Sequence, residues 1–210
     1  MSQFFQVHPE NPQPRLIKQA VEIVKRGGVI VYPTDSSYAI GCQIGEKNAV
    51  ERIRRLRRLD DKHNFTLVCS DLSQLGAFAK VDTHAFRLLK AHTPGPYTFI
   101  LNATREVPRM LMHPKRRTIG LRVPGHPIAQ ALLAELGEPL MSASLIMPGE
   151  TLPMSDPYDM RAVLEHEVDL IIDGGFGGLE ASTVISLADG ETEVIRAGCG
   201  DPSLFGEVAH

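Results

Sequence analysis

The chain contains no tryptophan, only 6% of its 210 residues are aromatic, and it has just three cysteines. Cys42, Cys69 and Cys199 lie far apart and form no Cys-x-x-Cys pair. An odd number of widely spaced thiols predicts neither a disulfide framework nor a zinc site, so no metal held by protein side chains is expected. Such cysteine usage is typical of a reducing compartment, and we expect a cytoplasmic protein.

Long apolar runs and the common nucleotide-binding signatures are also missing. No run reaches the roughly 18 apolar residues that a membrane span needs, and the first residues show no apolar stretch after basic ones, so no membrane partner is expected. Neither a Walker A motif nor Gly-x-Gly-x-x-Gly occurs, and the glycine-rich segment 174–178 lacks the following helix that a phosphate cradle requires. A Gly-x-Ser-x-Gly elbow is absent, which argues against a serine nucleophile.

The charges are distributed unevenly along the chain. The formal net charge is −3, but residues 1–148 carry 20 Lys and Arg against 12 Asp and Glu, a net of +8, and residues 149–210 carry 2 against 13, a net of −11. This asymmetry argues against a uniformly basic coat. It is compatible with a basic concavity and an acidic opposite side.

Short apolar runs alternate with amphipathic segments, which predicts an α/β (α+β) protein with one twisted mixed sheet flanked by helices. The predicted strands are 29–32, 65–70, 97–102, 118–123, 139–144, 168–172, 183–187 and 193–196. The predicted helices are 15–26, 48–58, 83–92, 126–136 and 158–165. Because 188–192 resembles a hairpin connection, the sheet should contain antiparallel neighbours.

One domain is predicted at residues 15–199. Residues 1–14 are interpreted as a Pro-rich lead-in and residues 200–210 as a C-terminal tail. The Pro- and Gly-rich segment 147–157 is interpreted as a loop or lid inside the domain.

Five arginines fall within seven residues of the predicted helix 48–58. Two interpretations stay open: an anionic partner, or a solvated helix whose arginine stems cover apolar surface. The C-terminal end of this helix brings guanidinium groups to the turn before a strand, where loops of sheet proteins gather ligands.

Polar clusters follow or end four predicted elements, at 33–38, 57–64, 122–126 and 142–144. Arg122 is unusual because its neighbours in the strand are apolar, and a buried arginine is costly unless it meets an anion. The anion could be a ligand or an acidic side chain of the C-terminal third. The residues themselves thus predict an α/β protein with a basic pocket for an anionic ligand.

Seven segments, in order along the chain, resemble the YrdC/YciO family of threonylcarbamoyl-AMP synthase-like proteins. They are Tyr32-PTDSSYAIGC, Pro94-GPYTFIL, Ile119-GLRVP, Ser142-AS, Val168-DLIIDGG, Ala181-STV and Val194-IRAG. With the first helix they span about residues 15 to 198. The resemblance implies a YrdC-like fold, a twisted mixed sheet with helices around a deep basic cavity.

The resemblance also implies an activity and its partners. Family members make threonylcarbamoyl-AMP from L-threonine, bicarbonate and ATP, and release pyrophosphate, as the first step toward the threonylcarbamoyladenosine of tRNA. The expected ligands are therefore ATP with Mg²⁺ bound through the nucleotide, L-threonine or another small amino acid, and bicarbonate. Affinity for double-stranded RNA or tRNA is implied as well.

The resemblance also implies roles for the residues of this chain that match the site positions of the family. Those implied to hold the amino acid are Thr34, Arg122 and Ser182. Those implied to bind the nucleotide are Arg57, Thr118, Ala143 and Arg196. The candidate catalytic residues are Arg57, Arg122, Ser142 and Ser144. Candidate RNA-binding residues, suggested also by the basic balance of residues 1–148, are Arg52, Arg54, Arg55, Arg58, Lys62, Lys115, Arg116 and Arg117.

Two family signatures are altered in this chain. Without gaps, Lys-x-Arg falls on Arg57-Arg-Leu59 and Ser-x-Asn falls on Ser142-Ala-Ser144. Leucine cannot donate to a triphosphate, and loss of a charge-assisted contact in a dry site costs about 1.5–3 kcal/mol. Two hypotheses remain: a synthase, slow or with another amino-acid substrate, or an RNA- or nucleotide-binding protein with little or no synthase activity.

Overall fold

A computed structural model describes residues 1–60 and 62–206. Its strands form a single ten-stranded mixed sheet in the order β1-β8-β2-β3-β7-β4-β6-β5-β9-β10. The strands are β1 Gln3–Gln6, β2 Ile30–Tyr32, β3 Ala39–Gln43, β4 Thr66–Val68, β5 Tyr97–Asn102, β6 Thr118–Arg122, β7 Leu140–Ser144, β8 Leu170–Asp173, β9 Thr183–Ser186 and β10 Glu193–Arg196.

Helices flank this sheet. They are α1 Pro14–Lys25, α2 Lys47–Arg57, α3 Leu72–Phe78, α4 Thr83–His92, α5 Pro127–Leu136 and α6 Pro157–Leu164. Proline opens α1, α5 and α6, where its fixed φ suits the first turn and its missing N–H is not needed. Helix α5 ends at Gly137, whose φ of 74° is a left-handed conformation that glycine adopts without strain.

The predicted mixed α/β sheet is confirmed. Strands β9 and β10 pair antiparallel after the 188–192 connection, whereas β4 and β6 are parallel neighbours. Each predicted helix and strand is present, with bounds shifted by no more than a few residues. Strands β1 and β3 and helix α3 were not predicted, because none of the three shows a clean apolar period in the sequence.

The predicted lead-in and tail are both joined to the domain. Strand β1, inside the lead-in, pairs parallel with β8 and so forms an edge of the sheet. In the tail, the buried ring of Phe205 lies 5.3 Å from the ring of Tyr97 and 4.6 Å from that of His92. The end of the predicted tail, 207–210, lies outside the described residues.

The two faces of the central strands have different roles. On one face Leu67, Phe99 and Leu121 are fully buried in a core cluster. Side chains alternate along a strand, so Thr66 and Gly120, which are paired across β4 and β6, face the other way. This second face is open to a cavity. Among the described helices, none is both long and apolar enough to cross a membrane.

Candidate functional site

A cavity of about 390 Å³ crosses the second face of the sheet, within the usual size range of small-molecule sites. Of the nine residues predicted to bind amino acid or nucleotide or to act in catalysis, eight line it. They are Thr34, Arg57, Arg122, Ser142, Ala143, Ser144, Ser182 and Arg196. Their individual roles stay predictions.

Thr118 is the predicted nucleotide-binding residue that does not line the cavity. It is buried at the start of β6, and its carbonyl accepts from the backbone N–H of His113. Arg122, at the other end of β6, is four residues away, or about 13 Å along an extended strand. Distance along the strand therefore separates Thr118 from the site.

The floor of the cavity is made of small residues. At Gly120, a Cβ atom would lie 2.9 Å from the Thr66 hydroxyl and 3.3 Å from a methyl carbon of Thr98. Both threonines line the same cavity. Glycine at this position keeps the floor low enough for a ligand to approach the backbone.

Arg122 is 6% exposed and pairs through its Nη2 with a carboxylate oxygen of Asp35. The other carboxylate oxygen accepts from the backbone N–H of Gly125 at 2.8 Å. Of the two alternatives for the anion, a ligand or an acidic side chain of the C-terminal third, the second is wrong, because the carboxylate partner is Asp35 of the β2–β3 connection. The Nε of Arg122 is buried without a hydrogen-bond partner among the described residues.

Two further arginines face the cavity without a carboxylate partner in the described ranges. Arg57 donates from Nε to the carbonyl of Ile146 at 2.6 Å, and Arg196 donates to the carbonyl of Ser182 at 2.8 Å. Burial, and then repulsion from Arg196, lowers the pKa of Arg57 to about 10. Desolvation, and then Arg122, lowers the pKa of Arg196. Arg57 therefore remains a cation at neutral pH, and the arginine side chains make the cavity positive.

Most of the hydroxyl groups in the site already have partners. The Thr34 hydroxyl donates to the Ser37 carbonyl at 2.6 Å and accepts from the Ser37 N–H at 3.3 Å, which shapes its loop. Ser142 and Tyr32 share a hydrogen bond of 2.7 Å between their hydroxyls. Burial raises the pKa of Tyr32 to about 12, so this phenol stays protonated. Ser144 lines the cavity with its hydroxyl unbonded within the described chain.

Leu59 does not line the cavity, because helix α2 ends in a left-handed residue. Arg58 has φ 51° and ψ 45°, and the N–H of Leu59 bonds back to the carbonyl of Arg54 at 2.9 Å. This is the geometry of a Schellman motif, which favours an apolar residue at the position of Leu59. The side chain of Leu59 packs against the core cluster instead.

Lining residues that were not predicted include His63 and Asn64, and Lys62, which was predicted to bind RNA, lines the cavity as well. Burial, and then repulsion from Arg57, lowers the pKa of His63 to about 4, so its imidazole is neutral at pH 7. The Oδ1 atom of Asn64 is buried without a hydrogen-bond partner in the described chain. Their position just before β4 was the available signal, since residues 57–64 were predicted as a polar cluster.

Two of the predicted RNA-binding arginines are engaged within the protein. Arg52 donates to the carboxylate of Asp169 at 2.8 Å. Arg54 lies 5.0 Å above the Phe65 ring and 3.6 Å from a carboxylate oxygen of Glu51. For these two side chains, the structure favours the interpretation in which helix arginines serve the fold.

The remaining five predicted RNA-binding residues are exposed. They are Arg55, Arg58, Lys115, Arg116 and Arg117. They belong to the segments that lead into β4 and β6, and these strands are parallel neighbours. The starting ends of these two central strands therefore lie side by side. No group of three or more His, Cys, Asp or Glu side chains among the described residues is arranged to hold a metal ion.

Comparisons with known proteins agree with this fold. The model of the Sua5/YciO/YrdC family, described as "Telomere recombination", matches residues 22–198. The uncharacterized protein YciO of Escherichia coli K12 is 60% identical over 205 residues, which are 98% of this chain and 100% of that protein. A threonylcarbamoyl-AMP synthase of Coxiella burnetii is 31% identical over 170 residues, 80% of this chain and 90% of the relative.

Solved structures give the same relationship. The crystal structure of E. coli YciO superposes with a TM-score of 0.95 and covers 98% of this chain and 100% of that one. The Sua5 of P. abyssi in complex with L-threonine superposes with a TM-score of 0.85 at 27% identity, over 93% of this chain and 57% of that one. Sequence, fold and cavity thus agree, and the chain belongs to the Sua5/YciO/YrdC family, which includes threonylcarbamoyl-AMP synthases.

Proposed function

We propose that this protein is an L-threonylcarbamoyladenylate synthase-type nucleotidyltransferase, which uses ATP, bicarbonate and L-threonine or another small amino acid. The observation that carries the proposal is the pair of cavity arginines, Arg57 and Arg196, which are held by backbone carbonyls and not by carboxylates. Partly desolvated cations without an anionic partner favour an anionic ligand. A nucleoside triphosphate is such a ligand.

The two ends of the cavity suit two different anions. Arg122 ends β6, whereas Arg57 donates to the carbonyl of Ile146, which follows β7, and the antiparallel pairing of β7 with β4 brings this segment to the starting ends of β4 and β6. The Arg122 end, near Thr34 and Ser182, would receive the carboxylate of the amino acid. The Arg57 end would receive the phosphates, with Mg²⁺ carried by the nucleotide.

In this reaction the protein mainly has to position the two reactants, and no nucleophilic side chain is required. The amine of the amino acid and bicarbonate give a carbamate with loss of water. A carbamate oxygen then attacks the α-phosphorus, a new phosphorus–oxygen bond forms, and the bond to the bridging oxygen breaks so that pyrophosphate leaves with the electron pair. Fixed cations stabilise the charge that develops on pyrophosphate, and the cavity holds the two reactants in line.

A direct assay tests this function. Purified protein is incubated with Mg-ATP, bicarbonate and labelled L-threonine, and the adenylate and pyrophosphate are measured. Arg196→Gln should lower the rate by roughly one to two decades, as expected for loss of a charge-assisted contact. Arg105→Ala, at an exposed position in a turn, is the matched control and should leave the rate unchanged. Failure to form any adenylate with threonine or other small amino acids would exclude the synthase.

We also infer a second function, binding of double-stranded RNA or tRNA. It is supported by the five exposed cations in the segments that lead into the neighbouring strands β4 and β6, none of which lines the cavity. Low aromatic content disfavours stacking on single strands, whereas exposed arginines suit phosphate contacts along a duplex. If saturating Mg-ATP displaces the RNA, the RNA occupies the cavity and this surface is not its site.

A further inference from the structure

A fully buried tyrosine lies behind the wall of the cavity. Tyr32, in β2, belongs to the core cluster to which helices α1 and α5 contribute, and none of its surface is exposed. Its hydroxyl reaches Ser142 of β7, with 2.7 Å between the two oxygen atoms. Ser142 lines the cavity, whereas Tyr32 does not. The phenol is thus one hydrogen bond away from the cavity.

The ring of Tyr32 crosses a strand to make this contact. Strand β3 lies between β2 and β7 in the sheet. The residue of β3 opposite Ser142 is Gly41, where a Cβ atom would lie 3.1 Å from a ring carbon of Tyr32 and 3.6 Å from the Ser142 hydroxyl oxygen. A side chain at this position would meet the ring, so glycine keeps the path from Tyr32 to Ser142 open. The contact is therefore built into the packing of three strands.

The direction of this hydrogen bond follows from burial. Burial raises the pKa of Tyr32 to about 12, so the phenol keeps its proton at neutral pH. Ser142 is the only hydrogen-bond partner of the phenol among the described residues. If Ser142 donated to Tyr32, the phenol proton would be buried without an acceptor, which is costly. Tyr32 therefore donates, and the Ser142 oxygen accepts.

Accepting from Tyr32 leaves the proton of Ser142 available. Its acceptor within the described chain is the carbonyl of Ile40 at 3.3 Å, a long distance for a hydrogen bond between two oxygen atoms. An anionic oxygen in the cavity would accept this proton at a shorter distance and more strongly. A hydroxyl that accepts one hydrogen bond also donates the next more strongly, because the two bonds polarise each other. Ser142 is thus prepared to donate to a ligand.

We propose that Tyr32 is a positioning residue of the cavity, which donates to Ser142 and thereby directs the Ser142 proton toward an anionic oxygen of the ligand. The inference rests on the proposed function, in which that oxygen belongs to a carboxylate, a carbamate or a phosphate. Without the phenol, the Ser142 oxygen has no fixed donor and its hydroxyl is free to rotate. Tyr32 acts on the ligand through Ser142 alone.

Coupling between the two hydroxyls is measured with Tyr32→Phe, which keeps the ring, with Ser142→Ala, and with the double variant. Binding of Mg-ATP and of L-threonine is titrated separately by calorimetry, and adenylate formation is measured with bicarbonate and both ligands. Where Ser142 contacts the ligand, Ser142→Ala should cause a loss of about tenfold and Tyr32→Phe a loss of about threefold. The double variant should be no weaker than Ser142→Ala, because Tyr32 acts through Ser142.

The affected measurement identifies the oxygen. Weaker binding of L-threonine indicates its carboxylate, and weaker binding of Mg-ATP indicates a phosphate. A lower rate with unchanged binding of both indicates the carbamate. Losses in Tyr32→Phe and Ser142→Ala that multiply in the double variant would overturn the proposal, and so would a Tyr32→Phe protein that equals the parent in every measurement.

The matched control is Tyr38→Phe, which also removes a buried phenol. The Tyr38 hydroxyl donates to the carbonyl of Gly175 at 2.7 Å and accepts from the N–H of Gly174 at 3.0 Å, and Tyr38 does not line the cavity. Combined with Ser142→Ala, this substitution should give the product of the two single effects, as expected for residues that share no partner.

A spectroscopic measurement separates positioning from packing. The hydroxyl proton of Tyr32 should exchange slowly because it is buried, and its NMR signal is assigned by its loss in Tyr32→Phe. The ligand that Ser142 contacts should move this signal downfield, since Ser142 accepts more strongly once its own proton is donated to an anion. The movement should be absent in Ser142→Ala, and the Tyr38 hydroxyl signal should stay in place. A Tyr32 signal that neither ligand moves would mean that the phenol only fills the core.

The outcomes keep this inference apart from the synthase proposal. Coupled losses of binding in the Tyr32 and Ser142 variants, without formation of an adenylate by the parent, would support the role of Tyr32 and exclude the synthase. Adenylate formation by Tyr32→Phe at the parent rate, with parent affinities, would support the synthase and remove the role of Tyr32. A parent that binds neither Mg-ATP nor L-threonine would overturn both.

Discussion

Arg122 and Asp35 form an ion pair at the wall of the cavity, with side chains 8% and 19% exposed. Asp35 also accepts from the N–H of Gly125 at 2.8 Å, so one carboxylate joins the β2–β3 connection to the loop after β6. The pair holds one terminal nitrogen of Arg122 and thereby fixes the orientation of its guanidinium.

Asp35→Ala should destabilise the protein by about 3 kcal/mol, because it leaves a buried guanidinium without its partner. Urea unfolding measures the loss. The control is Asp159→Asn, at an exposed carboxylate in the first turn of α6, which should change the free energy of unfolding by no more than about 0.5 kcal/mol. If Asp35→Ala is as stable as the parent, the ion pair does not stabilise the fold.

Gly120→Ala should raise the cavity floor and weaken the stabilisation by Mg-ATP that a nucleotide site produces. The added methyl group meets the Thr66 hydroxyl at 2.9 Å, and overpacking of this kind costs about 1–3 kcal/mol. Gly76→Ala is the control, since a Cβ there meets no atom within 4 Å and alanine favours helix α3. The melting temperatures of the parent and of both variants are measured with and without Mg-ATP. An equal nucleotide shift in parent and Gly120→Ala would place the nucleotide elsewhere.

Ser144→Asn should raise threonine-dependent release of pyrophosphate about tenfold, or about 1.4 kcal/mol of transition-state stabilisation, because it returns an amide to the cavity wall. Leu59→Arg should give no such gain and should lower stability by about 1–2 kcal/mol, since Leu59 packs against the core cluster. Steady-state release of pyrophosphate and urea unfolding are measured on both variants. A faster Leu59→Arg enzyme would contradict the packing argument.

His63 should make stability depend on pH below neutrality. Its pKa falls from 6.5 to about 4 on folding, so the unfolded chain binds the proton more readily and stability declines as the pH is lowered from about 6.5 towards 4. His63→Gln should lose less free energy of unfolding than the parent between roughly pH 7 and pH 5. Parallel pH profiles for the two proteins would mean that His63 titrates normally in the folded state.

Arg55→Ala and Arg58→Ala should each reduce the slope of log affinity for double-stranded RNA against log salt by about 0.7–0.9, as expected for loss of one phosphate contact. Arg52→Ala is the internal comparison, because Arg52 is paired with Asp169 and should change the slope little. Fluorescence anisotropy at several salt concentrations measures this. A salt-independent affinity would exclude a phosphate-contacting surface.

Secondary structure was predictable where the signal is local. The apolar run of β6 and the amphipathic pattern of α4 belong to neighbouring positions in the chain, and both elements form at the predicted places. Strand β1 has no such signal. It becomes a strand because β8 offers it a parallel edge, a partner more than 160 residues away.

The need for an anion beside Arg122 was also predictable from the sequence. The apolar neighbours of Arg122 in the sequence of β6 predict that its charge is buried. A buried charge is costly unless it is paired, so an anionic partner was predictable. The identity of that anion was not implied, and Asp35 was found only through the tertiary contact of two loops. The sequence by itself thus indicated the mixed sheet, five of the six described α-helices and a basic pocket.

Tertiary structure decided which cations serve the cavity and which serve the fold. Arg52 and Arg57 lie on the same helix five residues apart, yet one meets Asp169 and the other faces the cavity. A left-handed residue, Arg58, turns Leu59 toward the core, and Asp60 then holds Lys62 in place for the cavity. These choices depend on backbone direction and on partners distant in sequence, which residue types and their spacing do not specify.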